Sequence, residues 1–328
     1  MTMRRLALLL RTTLVVPLLL ATPLAGQQAV PLTFDWIPGM RARVTTTTEQ
    51  SRTTPMGGGS IRTVASSLLT TEAHPRGLLL RHRRGELIEA EASGTTGIEG
   101  AGDVARVLAE APHDLLVDRS GRLLEVRRDA ETRARLRAAL REMLAPASET
   151  SGSEDLTGAL DRMLSDEALD ADLRQSWSSA VELWIDAGLA VGETVTSVEE
   201  APFPMLENRA VMMEMETTLE GYIPCVEGGA PESCVRLRVV STPDAKDVRP
   251  MMEEMLARNF GGSVAGMPLE LEGFVQTSIV EATVEPGTLV PHNVIVHSVA
   301  DLQLTLMGQS VPTHQEMTSV TTWAWEAR

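Results

Sequence analysis

Thr288-Leu-Val-Pro-His-Asn-Val-Ile-Val-His-Ser-Val-Ala-Asp-Leu-Gln-Leu-Thr-Leu-Met307 carries the pattern that decides the fold. Side chains alternate across a strand, so Val294, Val296, Ser298 and Ala300 share one face, and Ile295, His297 and Val299 share the other. A helix would instead group residues three or four apart. Leu269 to Val284 before this stretch and Thr313 to Glu326 after it alternate in the same way. Three long, half-polar strands in succession suit a curved antiparallel sheet with one buried face.

The same reading extends toward the N-terminus. Met40 to Thr54, Ser60 to His74 and Leu78 to Ala92 are β-prone, separated by Pro55-Met-Gly-Gly-Gly59 and Pro75-Arg-Gly77, and read as a meander. Leu115 to Val126, folded about Asp118-Arg-Ser-Gly121, reads as a hairpin. Ala210 to Tyr222 and Cys234 to Ser241 add strands after Glu193. Between the two groups the period changes. Asp129 can cap a helix whose apolar positions are Leu136, Ala139, Leu140, Met143 and Leu144, with Pro146 ending it. A second helix after Ser165 places Leu169, Leu173, Trp177, Ala180, Val181 and Trp184 on one stripe, with Gly188 at its stop. A third runs from about Asp244 to Asn259. The expectation is an α+β fold: a large curved antiparallel β-sheet, half-barrel-like, with a central group of helices (about 129–188) packed on it. Residues 27–328 would form one β-rich domain. Two β-rich lobes, 27–128 and 193–328, are the alternative.

The first residues read as an export signal. Arg4 and Arg5 precede a mostly apolar run from Leu6 to Leu20, and small residues follow at Ala21-Thr-Pro-Leu-Ala-Gly26. That order marks a secretory signal peptide over residues 1–26, with cleavage after Ala25 or Gly26 and a periplasmic or secreted product. No later stretch approaches the roughly 20 apolar residues of a membrane-spanning helix, so the mature chain is expected not to be integral to a membrane.

With 43% hydrophobic and 23% charged residues, the chain has a globular composition rather than a disordered one. Its 45 acidic residues outweigh 29 basic ones, and three of the arginines (4, 5 and 11) belong to the signal. Such a surface repels phosphate backbones, which excludes a nucleic-acid role. Cys225 and Cys234, with Gly228-Gly229 and Pro231 between them, suit a disulfide clamping a hairpin in an exported protein.

Motifs with a catalytic mechanism are wanting. Gly100-Ala-Gly-Asp-Val-Ala105 imitates a dinucleotide loop but lacks the parallel unit that such a loop needs. The six histidines form no H-E-x-x-H, and His292 and His297 fall on opposite strand faces. Gly261-Gly-Ser-Val-Ala-Gly266 misses nucleophile-elbow spacing. Glu86, Glu89 and Glu91 read as a solvated acidic face. No enzymatic activity, cofactor or metal is expected. Met212-Met-Glu-Met215 and Met251-Met-Glu-Glu-Met255 read first as core, next as the lining of an apolar-ligand groove, and last as thioether ligands for Cu(I).

Leu189-Ala-Val-Gly-Glu-Thr-Val195 is similar to a V-x-V-G-D-T-W phrase of uncharacterised exported bacterial β-rich proteins, with Val195 where the phrase has Trp. The run Val299 to Trp323 resembles their closing strands. In layout the chain also looks like the envelope lipoprotein-carrier fold (LolA/LppX-like). That resemblance implies a hydrophobic ligand cavity and transfers no catalytic residue. The function expected is therefore binding of an apolar small molecule or lipid, with Trp177, Val181, Trp184, Met213 and Met215 lining the site. An envelope module with a filled core that binds a protein partner is the alternative.

Overall fold

The computed structural model describes residues 29–55, 57–94, 101–151, 165–203, 209–260, 263–264, 267–306 and 308–326. The segment expected to be a signal peptide and most of the linker after Ser151 lie outside them.

The strands are β1 (Arg41–Thr54), β2 (Gly57–His74), β3 (Gly77–Gly94), β4 (His113–Val117), β5 (Leu123–Arg127), β6 (Thr194–Phe203), β7 (Arg209–Ile223), β8 (Cys234–Pro243), β9 (Ser263–Val264), β10 (Met267–Val284), β11 (Pro291–Leu306) and β12 (Gln309–Trp325). The helices are α1 (Ala101–Glu110), α2 (Ala130–Ser151), α3 (Asp166–Ala180) and α4 (Ala245–Phe260), with a 3-10 turn at Glu182–Trp184. One antiparallel sheet runs in the order β5-β4-β3-β2-β1-β12-β11-β10-β8-β7-β6, and the two-residue β9 pairs with β10 beside it. The first and last strands of the chain therefore meet in the middle, and the sheet grows outward on either side through antiparallel neighbours, with α1 inserted between β3 and β4 and α4 with β9 between β8 and β10. Its ends, β5 and β6, do not pair with each other, so the sheet stays open.

This corrects the expectation of an α+β fold with a central helical layer. The chain is mostly antiparallel sheet, and its helices are few and small. The reason lies in what each apolar stripe covers. In α2, Leu136 is buried against Ala111 and Leu169, with Val107 and Leu140 beside them, so this helix packs on α1 and α3 in a small satellite cluster. Its helical pattern also runs through Pro146 rather than ending there. α1 sits on β3, α3 touches β5, β10 and β11, and α4 rests on β7 and β10.

The main core gathers at one end of the sheet. Val44 of β1, Leu69 of β2, Val239 of β8 and Val280 of β10 meet Trp177, Val181 and Trp184 there. Residues 29–39 close this end as a strap. The Val30 amide donates to the Leu189 carbonyl (2.9 Å), the Gly287 amide to Pro31 (2.7 Å), and Trp36 Nε1 to the Leu289 carbonyl (3.2 Å). A second core lies toward the other end of β10, where Val248 and Met252 of α4 cover Val211 and Leu271. Arg128 and Asp170, both nearly buried, pair at 2.8 Å and tie the end of β5 to α3. A cation and an anion taken out of water are tolerable only as such a pair.

Cys225 and Cys234 are disulfide-bonded across the β7–β8 connection. Closing so short a loop stabilises the fold by about 2–3 kcal/mol in the chain-entropy account. Replacing both with Ser is expected to lower the unfolding free energy by that amount in urea titration, with the sheet spectrum retained.

Candidate functional site

The register divides the residues of the sheet into two faces of very different chemistry. On β1 one face carries Ala42, Val44, Thr46, Thr48 and Gln50. Across β12 they meet Trp325, Trp323, Thr321, Ser319 and Met317, and across β2 they meet Leu69, Ser67, Ala65, Thr63 and Ile61. The face continues through Val294, Val296, Ser298 and Ala300 of β11, then Ala282, Val280, Ser278 and Gln276 of β10. None of these residues is charged. The reverse face of the same strands carries Arg43, Glu49, Arg62, Glu281, Asp301 and Glu316.

The uncharged face changes character along its length. At the strap end it is buried. At the other end of β10 and β11, Phe274, Leu302 and Leu304 pack against the second core. Between the two lies a half-buried band of small residues, Thr46, Thr48, Thr63, Ala65, Ser298 and Ser319 among them. A surface meant only for water would carry charges, and a closed core would carry larger aliphatic residues. A sheltered band of hydroxyls and methyls is neither.

A cavity of about 150 Å³ opens at the junction of this band with the main core. Trp36, Leu69, Leu115, Trp177 and Trp323 supply its apolar wall, and Thr46, Ser67, His82, His113, Ser176 and Thr321 its polar one. The rings are arranged edge to face: Trp36 stands 5.5 Å from Trp177 and 5.3 Å from Trp325. His82 and His113 pair directly across β3 and β4, and their rings stack 4.4 Å apart. Ser67 Oγ lies 3.3 Å from His82 Nδ1.

Backbone irregularity accompanies this group. The β2–β3 register shifts between Ser66 and Leu68, opposite Arg84, which has a φ of 53°. The next residue must be glycine, because a Cβ on Gly85 would stand 1.9 Å from the Ala109 carbonyl of α1. Bulges re-aim side chains, and they recur beside functional sites.

Burial holds both imidazoles neutral. It pushes His113 down to about 4 and His82 well below the usual histidine range, the latter helped by its histidine neighbour. In the unfolded chain each would titrate near 6.5. As pH falls from 6.5 toward 4, the unfolded state gains protons that the folded state refuses, so stability is present above 6.5 and is lost through that window. A melting temperature that drops between pH 7 and 4.5, with a shallower drop in His113→Phe, is the expected calorimetric result.

The residues singled out from sequence divide in the structure. Trp177 lines the cavity. Val181 and Trp184 are buried inside the main core. Met215 packs beside that core, and Met213 packs with Met251 at the second. Met213 and Met215 do share a strand face, through their pairings with Pro243 and Ser241. Ser67, His82, His113 and Trp36 were not found from sequence. His82 and His113 are far apart in the chain, and only the β3–β4 register brings them together.

A wider hollow of about 790 Å³ lies mostly on the charged face near the β1–β2 tip, lined by Glu49, Arg62, Glu91 and Glu316 among others. Arg62 pairs there with Glu49 (3.0 Å) and Glu89, so its guanidinium is already engaged. Cys225, Cys234 and His292 cluster closely enough for a metal, but the two sulfurs are bonded to each other and offer no thiolate.

No family model and no curated protein matches the chain. Among solved structures, OccK5 (OpdH) of Pseudomonas aeruginosa aligns over 88% of this chain and 99% of its own, at 8% identity and a TM-score of 0.21. A likeness that low carries no argument about fold or function.

Proposed function

We propose that the protein is an exported, non-enzymatic binding module that seats an amphiphilic or apolar ligand on the uncharged face of its open sheet. One observation carries this reading: the half-buried band between the two cores has no charged side chain, although nearly a quarter of the chain is charged. Apolar clusters at both ends would take the hydrocarbon of such a ligand, and hydroxyls along the band would tolerate its polar atoms without fixing them. The N-terminal export pattern supports the exported part of this reading.

The test is to purify the protein without detergent, extract it with organic solvent and analyse the extract by mass spectrometry. The stripped protein is then titrated with 1-anilinonaphthalene-8-sulfonate. A lipid-class compound in the extract, and saturable dye binding that the compound displaces, are the expected results. An empty extract together with no saturable dye binding would refute the reading.

A further inference from the structure

Resting on that reading, the chemistry at the closed end of the seat specifies the ligand's headgroup. The cations that bear on the histidines are already engaged: Arg83 Nη1 lies 2.7 Å from Asp114 and donates to the carbonyls of His82 (2.8 Å) and His113 (3.1 Å), and Arg128 pairs with Asp170 at 2.8 Å. No Lys, Arg, Asp or Glu is among the described residues lining the cavity.

The tautomer of His113 follows from its partner. Its Nδ1 is 3.3 Å from the Ala111 carbonyl, and a carbonyl can only accept. Nδ1 therefore carries the hydrogen, which leaves Nε2 of the neutral ring as an acceptor. Ser67 Oγ, beside His82 Nδ1, can donate or accept. A carboxylate or phosphate head would lose its hydration here and find a lone pair but no countercharge. A hydroxyl head would find both an acceptor and a hydroxyl partner.

We infer that the site takes a neutral, hydroxyl-bearing amphiphile of the monoacylglycerol or long-chain alcohol class, its head donating a hydrogen bond to His113 Nε2 and its chain lying along the Ser/Thr/Ala band toward α4. The band has the required reach. From Val294 beside the cavity to Leu302 at the second core, β11 extends about 26 Å at roughly 3.3 Å per residue.

Isothermal titration of ligand-stripped protein at pH 7.5, below the micelle concentration, compares monoolein with oleate, which has the same chain and an anionic head. Monoolein is expected to bind at least about tenfold more tightly. His113→Phe, which keeps a ring in the stack, is expected to weaken monoolein about tenfold and leave oleate unchanged. Ser67→Ala provides a second variant should His113→Phe fail to fold. Oleate binding as tightly as monoolein, or both variants binding monoolein like the parent, would overturn the headgroup assignment and leave the seat intact. If neither compound bound the folded protein, the seat itself would be refuted.

Discussion

Trp184→Ala is expected to lower the unfolding free energy by about 3–5 kcal/mol, the usual cost of truncating a large aromatic residue in a closed core. Trp184 is 0% exposed in the short turn after α3, where it packs among the residues that join this helix to the sheet. Its indole Nε1 donates to the Ser179 carbonyl at 2.9 Å. Truncation leaves both a cavity and an unpaired carbonyl. Trp184→Phe separates the two contributions, because most of the volume stays while the donor is lost, at about 1–3 kcal/mol. Urea titration followed by circular dichroism measures both. A loss under about 1.5 kcal/mol for the alanine variant would mean that the strap end collapses easily around the missing ring.

Thr48→Asp is expected to weaken amphiphile binding about a hundredfold, whereas Thr47→Asp leaves it within about twofold. The two threonines are neighbours on β1 and are half-buried alike, but they face opposite ways. Thr48 pairs with Ser319 and Thr63 in the uncharged band, and Thr47 pairs with Val320 and Val64 on the reverse side. In the empty protein a carboxylate at position 48 still reaches water, so folding should suffer only about 1 kcal/mol. Beneath a bound acyl chain it would be dehydrated with no cation near it, which costs several kcal/mol. Equal losses from the two variants would remove the face distinction on which the site rests.

The strands were legible in the sequence because a period of two survives any packing environment. Val294 to Ala300 alternates whether its apolar side meets a helix, a ligand or another sheet. The hairpin about Asp118-Arg-Ser-Gly121 was legible too, since turn chemistry is local: the Asp118 carboxylate accepts from the Ser120 and Arg122 amides. The helices were located but not placed. Periodicity shows that Leu136 is buried, yet not that it is buried against Ala111 and Leu169 instead of the sheet. Hence a central helical layer was expected where the structure has a satellite cluster.

The candidate site was the least legible part. Its band is made of Thr, Ser and Ala, which individually signal nothing, and its lack of charge emerges only when five strands are set in register. Trp177 was reachable from the α3 stripe. The stacked histidines were not, because a one-residue slip between β3 and β4 would part them, and register follows from the whole sheet.

The most direct measurement exploits the disulfide, which engages both cysteines of the chain and leaves no other thiol. In Ser319→Cys, a single thiol stands in the middle of the band, and its maleimide labelling rate is compared with and without monoolein. Ready labelling of the stripped protein and strong protection by monoolein are expected. A thiol that is inert without ligand would mean the band is closed, and one that labels equally fast in saturating monoolein would mean that nothing is seated there.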